Sequence, residues 1–332
     1  MPLVWSLPEA LITAELGAAY PEASGTVAWV EEAYGPFWGW LQGCLTWVSG
    51  ATDNAIYPVL FLDYLFQVLG VADDMSFWVR FALLSGICLS LAYINYRGLD
   101  LVSELSLTVC FLSMSPFIVF FFVAIPKIDP SRWLQKPDME ALMNSTLYKE
   151  ELDKENGLFP NGGVFRGILL APFLNSLFWN LNSFDSAACF ASEIENPGHS
   201  FPRAMFVAVI FVVVGYMIPI LTATGTTDAS QDKWVDGYMG TVAEEAVGPW
   251  LGGWVVFAAG IANLAMFLAE MSSDAFQILG LAERGYLPKI FSQRSRYGTP
   301  TYGILVGTCV ILAMSVSNLS SLIELLNFNY AL

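Results

Sequence analysis

Seven long stretches of this chain contain no Asp, Glu, Lys or Arg: 33–52, 81–96, 105–126, 167–184, 204–227, 246–269 and 297–323. A helix rises 1.5 Å per residue, so about 20 apolar residues cross a hydrocarbon layer about 30 Å thick. Inside lipid every backbone polar group must be satisfied within the protein, and a helix does this within one segment. The pattern therefore predicts an all-α polytopic membrane protein. The 332 residues are 55% hydrophobic and 13% charged, with mean hydropathy +0.55, where a soluble domain is about 25% charged.

Allowing one acid per stretch extends most of them. The predicted spans are 2–20, 37–69, 76–96, 99–125, 164–195 with a break, 203–225, 247–281 and 300–317, with the start of another at 319–332. That makes eight spanning helices and a partial ninth, read as a single transmembrane domain over 1–332. The interval 126–163 holds seven acids, five bases and the sequon Asn144-Ser145-Thr146, and reads as an external loop. A second sequon, Asn318-Leu319-Ser320, falls on the same side when the spans alternate, which makes that side extracytoplasmic. Bases divide six to eight between the two sides, so their total does not set orientation. The cluster Arg284, Lys289, Arg294 and Arg296 in one short loop marks that loop as cytoplasmic.

Several function classes drop out. One His and five dispersed Cys, with no CxxC or HExxH pattern, offer no metal cluster, no cofactor site and no disulfide framework. A net charge of −16 argues against a nucleic-acid partner, which calls for a basic surface. An enzyme reading has no nucleophile–base pair behind it. Met1-Pro2 leads directly into an apolar run without a basic region or a small-residue cleavage site, so a cleaved signal peptide is not expected.

The informative residues are acids within the apolar spans. Each costs about 2.5–3.5 kcal/mol at the centre of a membrane helix, and so needs a partner or a watery cavity. Asp53 divides an apolar helix, Asp185 ends one uncharged run and Glu270 ends another. All three are candidate proton or cation sites, because a bound cation, a proton or a distant base would each meet the need. Asn263, Glu270 and Asp274 share one helical face at spacings of seven and four, and Asp274 is expected nearer the solvated cytoplasmic end. In the first span Glu15, close to the Tyr20-Pro21 exit, reads as a boundary residue, and neither it nor Glu9 is expected as a ligand. The segment Phe178-Trp179-Asn180-Leu181-Asn182-Ser183-Phe184-Asp185-Ser186 interrupts an apolar run with Asn, Ser and Asp. It reads either as an unwound helix whose ends bind ions and polar solutes, or as a polar helix–helix seam.

Several motifs resemble those of the amino acid–polyamine–organocation (APC) superfamily of permeases, and most of all its plant-type polyamine uptake transporters. They are Ala14-Glu15-Leu16-Gly17 through Pro21, Gly25-Thr26-Val27-Ala28-Trp29-Val30, the run from Asp53 to Tyr64, Glu193-Ile194-Glu195-Asn196-Pro197-Gly198, Ala269-Glu270-Met271-Ser272-Ser273-Asp274 and Ala282-Glu283-Arg284-Gly285-Tyr286-Leu287-Pro288. The resemblance implies a LeuT-type fold of inverted helical repeats, with broken first and sixth helices around a midplane site. On the family count the first span here is helix two, 164–195 is helix six, helix one is missing and helix ten is truncated.

Carried over position by position, the resemblance implies a substrate site of Asn54 and Tyr57 from helix three, Trp179, Asn180, Asn182 and Asp185 from helix six, and Glu270 from helix eight. An acid at 270 would hold an ammonium group, and Trp179 would stack on a cation. Plant-type relatives have Tyr-Trp where this chain has Ser183-Phe184. Residues 105–126 contain no Lys, Arg or His, so proton coupling would use a carboxylate. The Arg284–Arg296 loop is expected on lipid phosphates. The resulting expectation is a secondary active transporter that takes up putrescine- or spermidine-class polyamines with protons, with membrane lipid around it and the plasma membrane as its location. The rivals are a cationic or neutral amino acid permease and a non-transporting, permease-like sensor or inactive fragment.

Overall fold

The computed structural model describes residues 2–70, 75–134, 139–144, 148–149, 164–165, 168–230, 233–235 and 237–315. The second sequon, Ser145-Thr146 of the first, and the expected helix at 319–332 lie outside the described residues, as does the side chain of Trp179. The helices are α1 (Ser6–Ala19), α2 (Thr26–Tyr34), α3 (Pro36–Leu69), α4 (Phe77–Arg97), α5 (Leu99–Ala124), α6 (Met139–Asn144), α7 (Leu170–Leu181), α8 (Pro197–Thr226), α9 (Tyr238–Ala246), α10 (Pro249–Glu283) and α11 (Thr301–Met314). Short 3-10 helices lie at Ile125–Lys127, Pro130–Leu134, Asp185–Glu193 and Lys289–Ser292. A two-residue pair, β1 (Val164–Phe165) and β2 (Ile168–Leu169), closes antiparallel just before α7.

Among the described residues, four helical segments are long and apolar enough to cross a membrane: Phe77–Arg97, Leu99–Lys127, Pro197–Thr226 and Pro249–Glu283. On α8, Phe206, Val207, Ile210, Phe211 and Val214 are exposed, an apolar surface suited to lipid. α3 has the length, at 34 residues, but Gln42, Thr46, Ser49, Thr52, Asp53 and Asn54 make it more polar than those four.

The chain forms two compact units. One comprises 1–113, 183–212 and 259–332, the other 114–182 and 213–258. The second is organised by the ends of its helices. Phe120, Ala124, Ala223, Val242, Ala243, Leu251 and Val255 form its core. Arg132 bridges Asp228 at 2.6 Å and donates to the Gly225 carbonyl, Trp133 donates to the Leu221 carbonyl, and Lys127 donates to the Ala246 carbonyl. Of these acceptors, the Gly225 and Ala246 carbonyls are C-terminal ones of α8 and α9 that have no partner within their own helices.

The first unit is built on small residues that let backbones approach, as helix packing in lipid favours. As α3 runs forward through Gly43, Gly50 and Tyr64, α10 runs back through their neighbours Leu281, Asp274 and Gly260, so the two helices pair antiparallel. Gly280 of α10 meets the Ser24 backbone, Gly303 of α11 meets the Ala275 backbone, and Gly25 (φ +52°) lies against Cys189 of the third 3-10 helix. Ser272 Oγ donates to Asn95 Oδ1 at 2.5 Å, tying α10 to α4.

The arginine loop departs from expectation. Arg284 bridges Glu22 at 2.8 Å and also pairs with Glu31, and Arg294 bridges Glu193 at 2.7 Å. These guanidinium groups lie on protein carboxylates of the loop after α1, of α2 and of the 3-10 helix, where the sequence reading had placed them on lipid phosphates. Long-range charge pairing of this kind leaves no local pattern in the sequence.

A Cβ on Gly280 would stand 2.3 Å from the Ser24 nitrogen and 2.4 Å from its Cα. Gly280→Ala should therefore cost about 1–3 kcal/mol by overpacking. The expected readout is a lowered melting temperature in detergent, with Gly86→Ala, where a Cβ meets nothing within 4 Å, melting like the parent.

Candidate functional site

Gly50 makes room for the most constrained side chain of the first unit. A Cβ there would lie 2.1 Å from Asp274 Oδ1, so only a residue without a side chain lets α3 pass over this carboxylate. One turn further along α3, Asn54 Nδ2 donates to Asp274 Oδ2 at 3.2 Å, and both residues are buried. Asp274 is 7% exposed, which corrects its expected place at the solvated helix end. The alternation of polar and small residues on α3, unlike its overall polarity, gave no indication of which α10 residue it would meet.

Asp53 and Tyr57 lie one turn apart on the same helix, and Tyr57 Oη donates to Asp53 Oδ2 at 2.6 Å. Pro58 follows within α3 and lacks the N–H that would otherwise bond the Asn54 carbonyl. The helix thus loosens beside Asn54 and Tyr57.

The break in the fifth predicted span falls within its polar stretch. α7 ends at Leu181, Asn182 is extended, Ser183 has φ +77°, and a 3-10 helix begins at Asp185. The N–H groups at the start of that helix have no partners within it. The Glu9 carboxylate of α1 takes this role: Phe184 N–H donates to its Oε1 at 2.9 Å, and the N–H groups of Ser183 and Asp185 also face it. Glu9, not expected from the sequence as a ligand, is the anion that caps the break.

Asp185, Glu270 and Asp274 line one cleft together with Thr26, Thr46, Ser186, Cys189, Ser273 and Gln277. The lining has no basic side chain among the described residues. Its interior space is about 10 Å³, room for about one water, so this conformation is closed around the acids. Gln277 is 2% exposed, and its Nε2 has no partner among the described residues. Glu270 interacts electrostatically with Asp53 and Asp185, and Asp274 with Glu270 and Asp53. Four carboxyl groups therefore share one field. Burial weakens the solvent screening of like charges, so the cluster holds negative charge only against a counter-charge, which a proton or a bound cation supplies.

A family model described as amino acid permease matches residues 1–332. The chain belongs to the amino acid permease family. As a member of that family it is an all-α, multi-pass membrane protein. Polyamine transporter PUT1 of Oryza sativa subsp. japonica is 43% identical over 333 residues, which cover 99% of this chain and 57% of the relative. Polyamine transporter RMV1 of Arabidopsis thaliana is 42% identical over 99% of this chain and 62% of its own length. A probable polyamine transporter of Arabidopsis thaliana is 43% identical over 100% of this chain and 63% of its own. The chain thus spans about three fifths of the length of these curated relatives.

The permease's expected site residues are divided between its two units. Asp53, Asn54, Tyr57, Asp185 and Glu270 belong to the first and Trp179, Asn180 and Asn182 to the second. Asp185 and Glu270 line the cleft, while Asn54 and Tyr57 lie behind it, holding Asp274 and Asp53. Asn180 is exposed and forms a seam: its Nδ2 donates to the Ser176 carbonyl at 2.8 Å and its Oδ1 accepts from Tyr216 Oη at 3.0 Å. Residues that sequence reasoning passed over are Glu9, Thr26, Thr46, Ser273 and Gln277. Ser273 and Gln277 could have been found, since they continue the α10 face of Glu270 at helical spacing; Glu9 carries no local signal.

Asn54→Leu removes the side-chain amide that donates to Asp274 and leaves a buried carboxylate without it, at a cost of about 1.5–3 kcal/mol. The variant should melt earlier than the parent, and Asn54→Leu combined with Asp274→Leu should recover most of the loss, because an apolar pair needs no hydrogen bond. A double-mutant cycle on thermal unfolding in detergent checks both.

Proposed function

We propose that this permease is a secondary active transporter that moves polyamines of the putrescine and spermidine class inward across the plasma membrane, with protons, by alternating access. The observation that carries this reading is the cluster of Asp53, Asp185, Glu270 and Asp274 around a cleft without basic lining residues. The names of the relatives, polyamine transporters, point to the same substrate class.

Charge matching separates the rival substrates. A polyamine brings two or more ammonium groups and no anion, so each charge it carries is met by a carboxyl group. A cationic amino acid brings its own carboxylate into the same negative field, and a neutral one brings no net charge to compensate it. In this reading Glu270 and Asp185 contact the ammonium groups, Asn54 and Tyr57 position the acids behind them, and Trp179, Asn180 and Asn182 remain substrate contacts by family resemblance. Protons fill the carboxyl positions that the substrate does not neutralise. The eight spans and partial ninth within one domain, arranged as inverted repeats, belong to the same proposal.

The test is labelled putrescine uptake by transport-deficient cells expressing the full chain, at matched surface levels, beside Glu270→Gln. Uptake is expected to saturate, to fall about tenfold or more in kcat/KM in the variant, as loss of a charge-assisted contact implies, and to resist excess unlabelled lysine. Competition by lysine would move the assignment to cationic amino acids. Absence of saturable uptake would favour a non-transporting, permease-like sensor.

A further inference from the structure

Glu9 is the acid that the reading above leaves without a role. It stands outside the cleft lining yet touches the segment that carries Asp185 into it. Its partners are three consecutive backbone N–H groups, those of Ser183, Phe184 and Asp185, at the head of a nine-residue 3-10 helix. Such donors favour an anion, and here a side chain from α1 provides it. Ser183 is held at φ +77°, a conformation that is uncommon outside glycine and needs its surroundings to maintain it. Asp185 is the charged group that acts on Glu9 among the described residues, and the two repel when both are ionised. One carboxylate thus holds the backbone of the break while the other faces the cleft, and they compete to carry negative charge.

We propose that Glu9 is a positioning residue that links protonation to the geometry of the helix break, with the proton on Glu9 and the negative charge on Asp185 when a cation is bound. The inference rests on the transport reading for its uptake arm alone. A proton from the outer medium forms an O–H bond on the Glu9 carboxylate, and the N–H bonds to Ser183, Phe184 and Asp185 fall from charge-assisted to neutral strength. Asp185 then stays ionised opposite the substrate ammonium without the Glu9 charge beside it. When Glu9 returns the proton to water on the inner side, the carboxylate recaptures the three N–H groups and Asp185 is again opposed. By linkage, a proton on Glu9 and a cation at Asp185 favour each other.

The experiment compares the parent chain with Glu9→Gln and Glu9→Asp, using amide hydrogen exchange in detergent and, separately, putrescine uptake. In the parent, exchange at Ser183–Asp185, corrected for intrinsic rates, should rise by about tenfold between mildly alkaline and mildly acidic buffer, the worth of a charged acceptor. In Glu9→Gln it should be fast at both and independent of pH, while Glu9→Asp restores the pH response. The uptake arm should show acid-stimulated uptake in the parent, and uptake with a flat pH profile and without substrate-driven proton entry in Glu9→Gln. A Glu9→Gln chain that keeps the parent's pH response in exchange would overturn the proposal, whether or not the chain transports. Equally, unchanged acid stimulation of uptake in Glu9→Gln would reduce Glu9 to a structural cap. Lack of putrescine uptake by the parent would count against the transport reading alone, since the exchange arm needs no substrate.

Discussion

A carboxylate enters the interior of this protein at one place because a side chain is missing at another. Gly50 gives α3 a bare backbone where it crosses α10, and Asp274 fills that space with Asn54 donating to it. Much of the first unit follows from that crossing. The antiparallel pairing of α3 and α10 sets Tyr57 and Asp53 on one side and Glu270 on the other, and aligns Gly43 with Leu281 and Gly260 with Tyr64. Because helices in lipid gain little from hydrophobic burial against each other, close approach through small residues and interhelical hydrogen bonds supplies the attraction. The acids are therefore held by elements that also hold the fold.

The second constraint is the break between α7 and the 3-10 helix. Ending a helix inside a membrane protein releases backbone groups that lipid does not satisfy. The chain meets part of this need with Glu9, whose carboxylate faces the N–H groups of Ser183, Phe184 and Asp185. The negative charge that stabilises the break is thus placed beside the negative charge of Asp185. The two carboxyl groups repel when both are ionised, which connects the geometry of the break to protons and cations. Away from the acids, Arg284 and Arg294 are paired with Glu22, Glu31 and Glu193, which anchors the loops that follow the C-terminal end of α10.

Some of this was legible in the sequence and some was not. Apolar stretches without charge announced helices, and the helices at 77–97, 99–124 and 249–283 lie close to the expected spans, because lipid allows few other conformations to such segments. The polar run from Phe178 to Ser186 announced a break, and α7 stops within it. The isolated acids Asp185 and Glu270 were legible as candidates, since charge within an apolar run is costly, and the structure brings both to one cleft. Asp274 was misread as solvated because its position along α10 says nothing about which helix covers it. The role of Glu9 was not legible because its partners lie about 175 residues away, and backbone N–H groups leave no mark in a sequence.

What the sequence by itself determined is the class of the protein: a membrane chain of apolar helices carrying acids that need positive charge. Composition and periodicity suffice for this, since hydrophobic transfer and backbone satisfaction act on each segment separately. Which acids share a field was decided only by the tertiary structure. So was the choice of Asn54 as the donor to Asp274, of Gly50 as the gap that admits it and of Glu9 as the cap of the break. These depend on the register of α3 against α10 and of α1 against the 3-10 helix. Register is a property of pairs of helices packing together, and neither helix carries it alone.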